Sequence, residues 1–172
     1  MLLGSGVGAL ALYGLLKPEA FKASLHRFPR SLTWGYALVT LATVWFLYYL
    51  RLESVSDFAA YKPMMYAGFA LLGGLTCIFL PDFLAVRGLA LVMLLLAKSM
   101  VDTARWADSS WRLVIVIWAY VLIIAGMWFT ISPWRCRDLF LWATANEKRM
   151  RLSTGLPLVL CLLVIVLGLT VF

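Results

Sequence analysis

The residues best suited to chemistry form a charged cluster in the second half of the chain: Lys98, Asp102, Arg105, Asp108 and Arg112. Their spacings of four, three, three and four residues place alternating charges on one face of a helix. Ionisable groups at membrane depth are costly and tend to be functional, so the cluster could form a polar mouth, a proton relay or a docking face. The alternative is an interfacial helix with ion pairs worth about 0.2–0.5 kcal/mol each. We expect Lys98 and Asp102 to matter most, since they lie nearest the apolar run.

Other chemistry lacks its required residues. His26 is the only histidine, so a haem with two histidine ligands or a three-histidine zinc site cannot form within one chain. The three cysteines, Cys77, Cys136 and Cys161, share no metal-binding or disulfide spacing, and we expect them to act as small buried hydrophobes. No nucleophile motif is visible. The sequence therefore predicts no cofactor and no metal, and it argues against an enzyme.

The composition indicates the surroundings in which these residues must be positioned. Of the 172 residues, 64% are hydrophobic, and the mean hydropathy is +0.94. Soluble domains contain roughly 45–50% apolar residues, and a small soluble fold leaves much of its surface exposed to water. Aromatic residues, 15% of the chain, often lie at the ends of apolar runs, as interfacial belts require. This pattern predicts an all-α, polytopic integral membrane protein.

Apolar runs divide the chain into about six membrane-spanning helices in a single domain: residues 1–16, 34–50, 64–80, 83–101, 113–131 and 154–172. No positive charge precedes the first run, and Lys17 and Lys22 follow it. A signal peptide has the opposite arrangement. We therefore interpret the first run as a retained helix.

The third and fourth runs are separated only by Pro81 and Asp82. So short a link predicts two antiparallel neighbours, with Asp82 placed to cap the fourth helix. Arg87 and Lys98 lie inside the ends of the fourth run and shorten its uncharged part. A re-entrant hairpin over 64–101 is therefore an alternative to two complete spans.

Basic residues predict the orientation. Under the six-span scheme, one side carries ten of them: Lys17, Lys22, Arg27, Arg30, Arg87, Arg135, Arg137, Lys148, Arg149 and Arg151. The other side carries five: Arg51, Lys62, Lys98, Arg105 and Arg112. The positive-inside rule assigns the richer side to the cytoplasm. The prediction is a multipass protein of a bacterial-type inner membrane with both termini outside the cytoplasm.

Two of the loops on the basic side resemble surface helices. After Pro18, Phe21, Leu25 and Phe28 form an apolar stripe at helical spacing, which predicts an amphipathic helix in the headgroup plane. A second interfacial segment follows Pro133. Both loops follow the same order of elements, a pattern that suggests an internal repeat. We expect the basic residues of these loops to contact anionic lipid headgroups, namely Lys22, Arg27, Arg30, Arg135 and Arg137. The net charge of +7 thus indicates lipid contact rather than nucleic-acid binding.

Small residues at helical spacing predict close helix packing. Gly4, Gly8 and Ala11 share one face of the first run, and Ala70 and Gly74 repeat the pattern in the third. A phosphate-binding loop is the weaker interpretation of the first set, because no strand precedes it and no Lys-Ser/Thr follows it.

Three functions fit these features. The first is a non-catalytic membrane subunit or scaffold that associates with other membrane subunits or with itself. The second is a small oligomeric transporter or channel with a charged outer mouth. The third, least favoured, is an enzyme acting on lipid headgroups through Arg27, Arg30, Arg135 and Arg137.

Overall fold

A computed structural model describes residues 8, 12–14, 16–52, 61–106, 112–146, 149–150, 152–155 and 158–159. These residues form helices and no strand. We number the helices within them as α1 (Pro18–Arg27), α2 (Leu32–Leu52), α3 (Lys62–Phe79), α4 (Leu84–Arg105), α5 (Arg112–Ile131) and α6 (Pro133–Ala143). A 3₁₀ turn, Phe28–Arg30, joins α1 to α2.

Helices α2, α3, α4 and α5 are long and apolar enough to cross a membrane. At about 1.5 Å per residue, their lengths of 18 to 22 residues match a hydrocarbon core about 30 Å thick. The four predicted central helices are confirmed, with ends that differ from the prediction by at most four residues. The lengths of α3 and α4 favour complete crossing over a re-entrant hairpin. Residues 1–16 and 154–172 lie largely outside the described residues, so the count of six spans stays a prediction.

Helix α4 is the centre of the bundle and packs against α2 on one side and α5 on the other. Its buried positions are mostly small, including Ala85, Gly88, Ala90, Ala97 and Ala104. Small side chains allow the neighbouring backbones to approach, and in hydrocarbon this van der Waals contact drives helix association.

Helix α3 packs on α2 and barely touches α4, although only residues 80–83 connect the two. The predicted antiparallel neighbours therefore make few direct contacts, because α3 and α4 each pack on α2. The predicted cap at Asp82 is wrong. Phe83 occupies the N-cap position of α4 in the left-handed conformation, with φ of 55°, and no side chain caps the helix.

The two predicted interfacial segments, which form α1 and α6, contact each other, and α6 also contacts α4. The Nε2 atom of His26 lies 2.9 Å from the Thr144 hydroxyl oxygen. The rings of Phe28 and Phe140 meet edge to face, with centroids 6.5 Å apart. The predicted loops therefore come together on one end of the bundle.

The apolar stripe of α1 contacts protein. Phe21, Leu25 and Phe28 are half-buried, whereas His26 and Arg27 are exposed. The Phe21 ring packs against Tyr13, at 6.5 Å between centroids. Part of this stripe is thus covered by the chain itself, and placement of α1 in the headgroup plane stays a prediction.

Candidate functional site

A cavity of about 550 Å³ lies between α3 and α4, with α2 as its floor. It exists because α3 and α4 both pack on α2 and diverge from each other. The rings of Phe46 and Phe69 cross from α2 to α3 beside it, 4.7 Å apart and edge to face. Phe46 and Leu72 both line the cavity and are exposed. The cavity therefore opens sideways, through the flank of the bundle.

The threonine hydroxyl groups on the cavity wall donate within their own helices. Thr43 on α2 donates to the Val39 carbonyl at 2.8 Å, and Thr76 on α3 donates to the Leu72 carbonyl at 2.7 Å. Threonine often satisfies its hydroxyl in this way inside a helix. Since each hydroxyl has a single hydrogen, neither has a donor left for a ligand. The wall is thus effectively apolar along its length.

One end of the cavity carries a charge. Lys98 on α4 lines this end, and its Nζ atom lies 2.8 Å from a carboxylate oxygen of Asp102, one helical turn away. The same Nζ atom lies 4.8 Å from the centre of the Tyr49 ring on α2, a distance typical of a cation–π contact. Both members of the ion pair are about half exposed, at 42% and 45% of their side chains. The pair is thus held in place yet open to its surroundings.

The Tyr49 ring is itself fixed by a short chain of hydrogen bonds. Its hydroxyl lies 2.6 Å from the Ser99 hydroxyl, and Ser99 donates to the Leu95 carbonyl at 3.1 Å. Because Ser99 uses its one hydrogen on that carbonyl, Tyr49 is the donor in the first bond. These hydrogen bonds connect α2 to α4 at the charged end of the cavity.

Of the predicted charged cluster, the structure brings together Lys98 and Asp102. Arg105 and Arg112 are exposed, and neither forms an ion pair with a described residue. Asp108 lies outside the described residues. The described part of the cluster is therefore one ion pair at the cavity mouth.

The predicted lipid-binding residues lie at the opposite end of the bundle. Arg27, Arg30 and Arg135 are exposed, and Lys22 is half-buried. Arg137 pairs with its neighbour Asp138 at 3.0 Å. The exposed guanidinium groups can contact phosphates at a membrane surface.

A further basic residue near that end is Arg87, in the first turn of α4. Its Nε atom is buried and has no hydrogen-bond partner among the described residues. The positive-inside count already placed Arg87 on the same side as the arginines of α1 and α6.

The small residues predicted on α3 face outward. Ala70 and Gly74 are exposed, and a Cβ atom added at Gly74 would meet nothing within 4 Å. They therefore make no helix contact within the described chain, and packing against another chain stays a prediction. Gly8 is half-buried in a helical segment, while Gly4 and Ala11 lie outside the described residues.

The sequence interpretation missed the glycines that do bring helices together. A Cβ atom at Gly88 would lie 2.7 Å from Leu38 and 3.0 Å from the Val39 backbone. One at Gly35 would lie 2.8 Å from Leu84. The repeat of alanine every seven residues, at 90, 97 and 104, is a signal that could have identified the packed face of α4.

The described residues contain no group of three or more His, Cys, Asp or Glu side chains that could hold a metal. Burial raises the pKa of the Cys136 thiol in α6 to about 12, so it is protonated at neutral pH and a poor nucleophile.

Taken together, the described residues offer an apolar cavity with one ion pair at its mouth, an arrangement suited to binding.

No protein-family model, no curated protein and no solved structure matches this chain.

Proposed function

We propose that the protein is a non-catalytic integral membrane subunit or scaffold, and that the outer face of α3 is its docking surface. The observation that carries the proposal is the position of α3. This helix is mainly apolar, has no buried residue and is held chiefly by α2. Apolar exposure alone is normal in lipid, but an exposed line of small residues is the pattern by which membrane helices approach each other closely.

The docking surface consists of Ala67, Ala70 and Gly74 on α3. All three are exposed, and at 100° per residue they lie within one side of the helix. The small side chains leave a shallow groove bordered by Leu71 and Ile78, which are 60% and 73% exposed. A partner helix placed there would contact the α3 backbone, as in other small-residue pairs.

The membrane setting of this proposal is six spans in a bacterial-type inner membrane, with both termini outside the cytoplasm. It is supported by the four apolar helices and by the contact of α1 with α6 at one end of the bundle. The basic residues counted on that end favour the cytoplasm as its side.

Gly74→Leu tests the docking surface. Leucine at this position fills the groove and separates the helices, so we expect roughly tenfold or greater loss of association, as overpacking of about 1–3 kcal/mol implies. Gly68→Leu is the matched control, because Gly68 is also exposed on α3 with nothing within 4 Å of an added Cβ but lies on a different side of the helix.

The measurement is native mass spectrometry of the tagged chain extracted gently from its own cells. A complex of defined mass that Gly74→Leu dissociates and Gly68→Leu preserves supports the proposal, and the mass distinguishes a second copy from another subunit. A chain that always runs as a monomer contradicts it.

A small oligomeric transporter or channel is the second candidate, favoured by the ion pair at the cavity mouth. In that case proteoliposomes should show flux of an ion or small solute that Lys98→Ala and Asp102→Ala both reduce. An unchanged flux in these variants argues against it.

A further inference from the structure

We propose that the cavity between α3 and α4 binds one phospholipid with a zwitterionic, primary-amine headgroup. An acyl chain lies along the apolar wall, the phosphate meets Lys98 and the ammonium meets Asp102. This inference is independent of the docking surface, which lies on the opposite, outward side of α3.

The acyl chain is assigned from the wall and the size of the cavity. The lining is apolar apart from Tyr49, Lys98 and two threonines whose hydroxyls donate within their own helices. Its volume of about 550 Å³ lies in the range of roughly 300–1,000 Å³ in which proteins hold small-molecule ligands.

The depth of the cavity matches one leaflet of a bilayer. On α2 the lining extends from Val39 to Tyr49, which is about 15 Å at 1.5 Å per residue. This is about half of a 30 Å hydrocarbon core. The cavity is therefore about as deep as one leaflet, and Lys98 lies at one end of it.

The headgroup is assigned by charge complementarity. Lys98 and Asp102 are 2.8 Å apart and present one ammonium and one carboxylate group to the mouth of the cavity. An anionic headgroup would gain the attraction of Lys98 but face the carboxylate of Asp102 as well. A zwitterion places an opposite charge beside each member of the pair, and each is about half exposed. The carboxylate accepts hydrogen bonds from a primary ammonium, which a trimethylammonium cannot donate.

The experiment is a lipid titration of the purified, delipidated full chain followed by native mass spectrometry. The probes are phosphatidylethanolamine, phosphatidylcholine and phosphatidylglycerol with identical acyl chains. We expect one phosphatidylethanolamine to be retained in preference to the other two. Lys98→Met and Asp102→Asn should each weaken its retention by roughly tenfold, the size expected for loss of one charge-assisted hydrogen bond.

Two matched controls separate the cavity from general lipid contact. Lys62→Met, like Lys98→Met, removes a lysine. Lys62 lies on α3 and does not line the cavity. Leu72→Trp partly fills the cavity and should reduce retention, whereas Leu71→Trp should not. Both leucines are more than half exposed on α3, at 56% and 60%, but only Leu72 lines the cavity.

Three results would overturn the assignment. Equal or stronger retention of phosphatidylglycerol would contradict the zwitterionic headgroup. Retention that is unchanged in both Lys98→Met and Leu72→Trp would contradict the cavity as its site. A photoreactive residue at position 72 that captures a protein helix in native membranes, with no lipid captured, would assign the cavity to another occupant.

Discussion

Individual glycines decide how closely the central helices approach. Gly88→Ala places a methyl group 2.7 Å from Leu38 and 3.0 Å from the α2 backbone. Backbone cannot move aside as a flexible side chain can, so we expect a loss of about 1–3 kcal/mol in the free energy of unfolding. Thermal or denaturant unfolding in detergent measures it.

Gly74→Ala is the control for this prediction. The added methyl group meets nothing within 4 Å, and alanine favours the helix over glycine by about 0.5–1 kcal/mol. The variant should be as stable as the parent chain or slightly more so. Equal destabilisation by both substitutions would show that close packing at Gly88 is not the cause of the loss in stability.

The Cys136 thiol should resist modification. It is fully buried in α6, and burial raises its pKa from 9.0 to about 12. A maleimide at neutral pH should therefore label it only after unfolding, in a chain whose other cysteines are replaced by serine. Rapid labelling of the folded chain would contradict the buried position.

The raised pKa of Cys136 also makes the free energy of unfolding depend on pH, in a direction that can be predicted. The folded state holds the proton more tightly than the unfolded state, so the thiol favours folding below pH 9.0. This contribution is lost as pH rises from 9.0 towards about 12. Unfolding at a series of alkaline pH values, compared with Cys136→Ala, measures it; parallel curves for the two chains would disprove it.

At the scale of elements, the hydrogen bond between His26 and Thr144 fastens α1 to α6. The Thr144 hydroxyl donates to the Phe140 carbonyl at 2.7 Å, so in the contact with His26 it accepts and the imidazole Nε2–H donates. Thr144→Val removes the acceptor and should cost about 0.5–1.5 kcal/mol. It should also increase protease cleavage within α1.

Thr144→Ser keeps the hydroxyl and is the control for Thr144→Val. Thr144→Ser should therefore preserve the protease resistance of α1. Cleavage as fast as that of Thr144→Val would show that this hydrogen bond does not hold α1 on α6.

For the whole molecule, the orientation can be tested by labelling single cysteines in intact cells. The positive-inside rule places Arg149 in the cytoplasm and Lys62 outside. Lys62→Cys should therefore react with a membrane-impermeant maleimide, and Arg149→Cys should react only after permeabilisation. The reverse pattern would invert the topology, whereas labelling of both in intact cells would contradict the span count.

The central helices could be predicted from the sequence because each is a run of apolar residues long enough to cross a bilayer. Their arrangement could not be predicted in the same way. The spacing of Lys98 and Asp102 predicts an ion pair, since both lie on one helix. The contact of Lys98 with Tyr49 depends on how α2 and α4 cross, and local spacing carries no such information. The short link at Pro81 predicts antiparallel neighbours, yet α3 and α4 both pack on α2 and make few contacts with each other.

The sideways opening of the cavity beside Phe46 and Leu72 determines how any occupant arrives. In a bilayer, an occupant would enter this opening by lateral diffusion within a leaflet, so its mole fraction in the bilayer would govern occupancy, rather than its molarity in water. Libraries of water-soluble compounds would therefore sample this opening poorly. Altering the lipid composition of the host membrane is the more direct way to fill or vacate it.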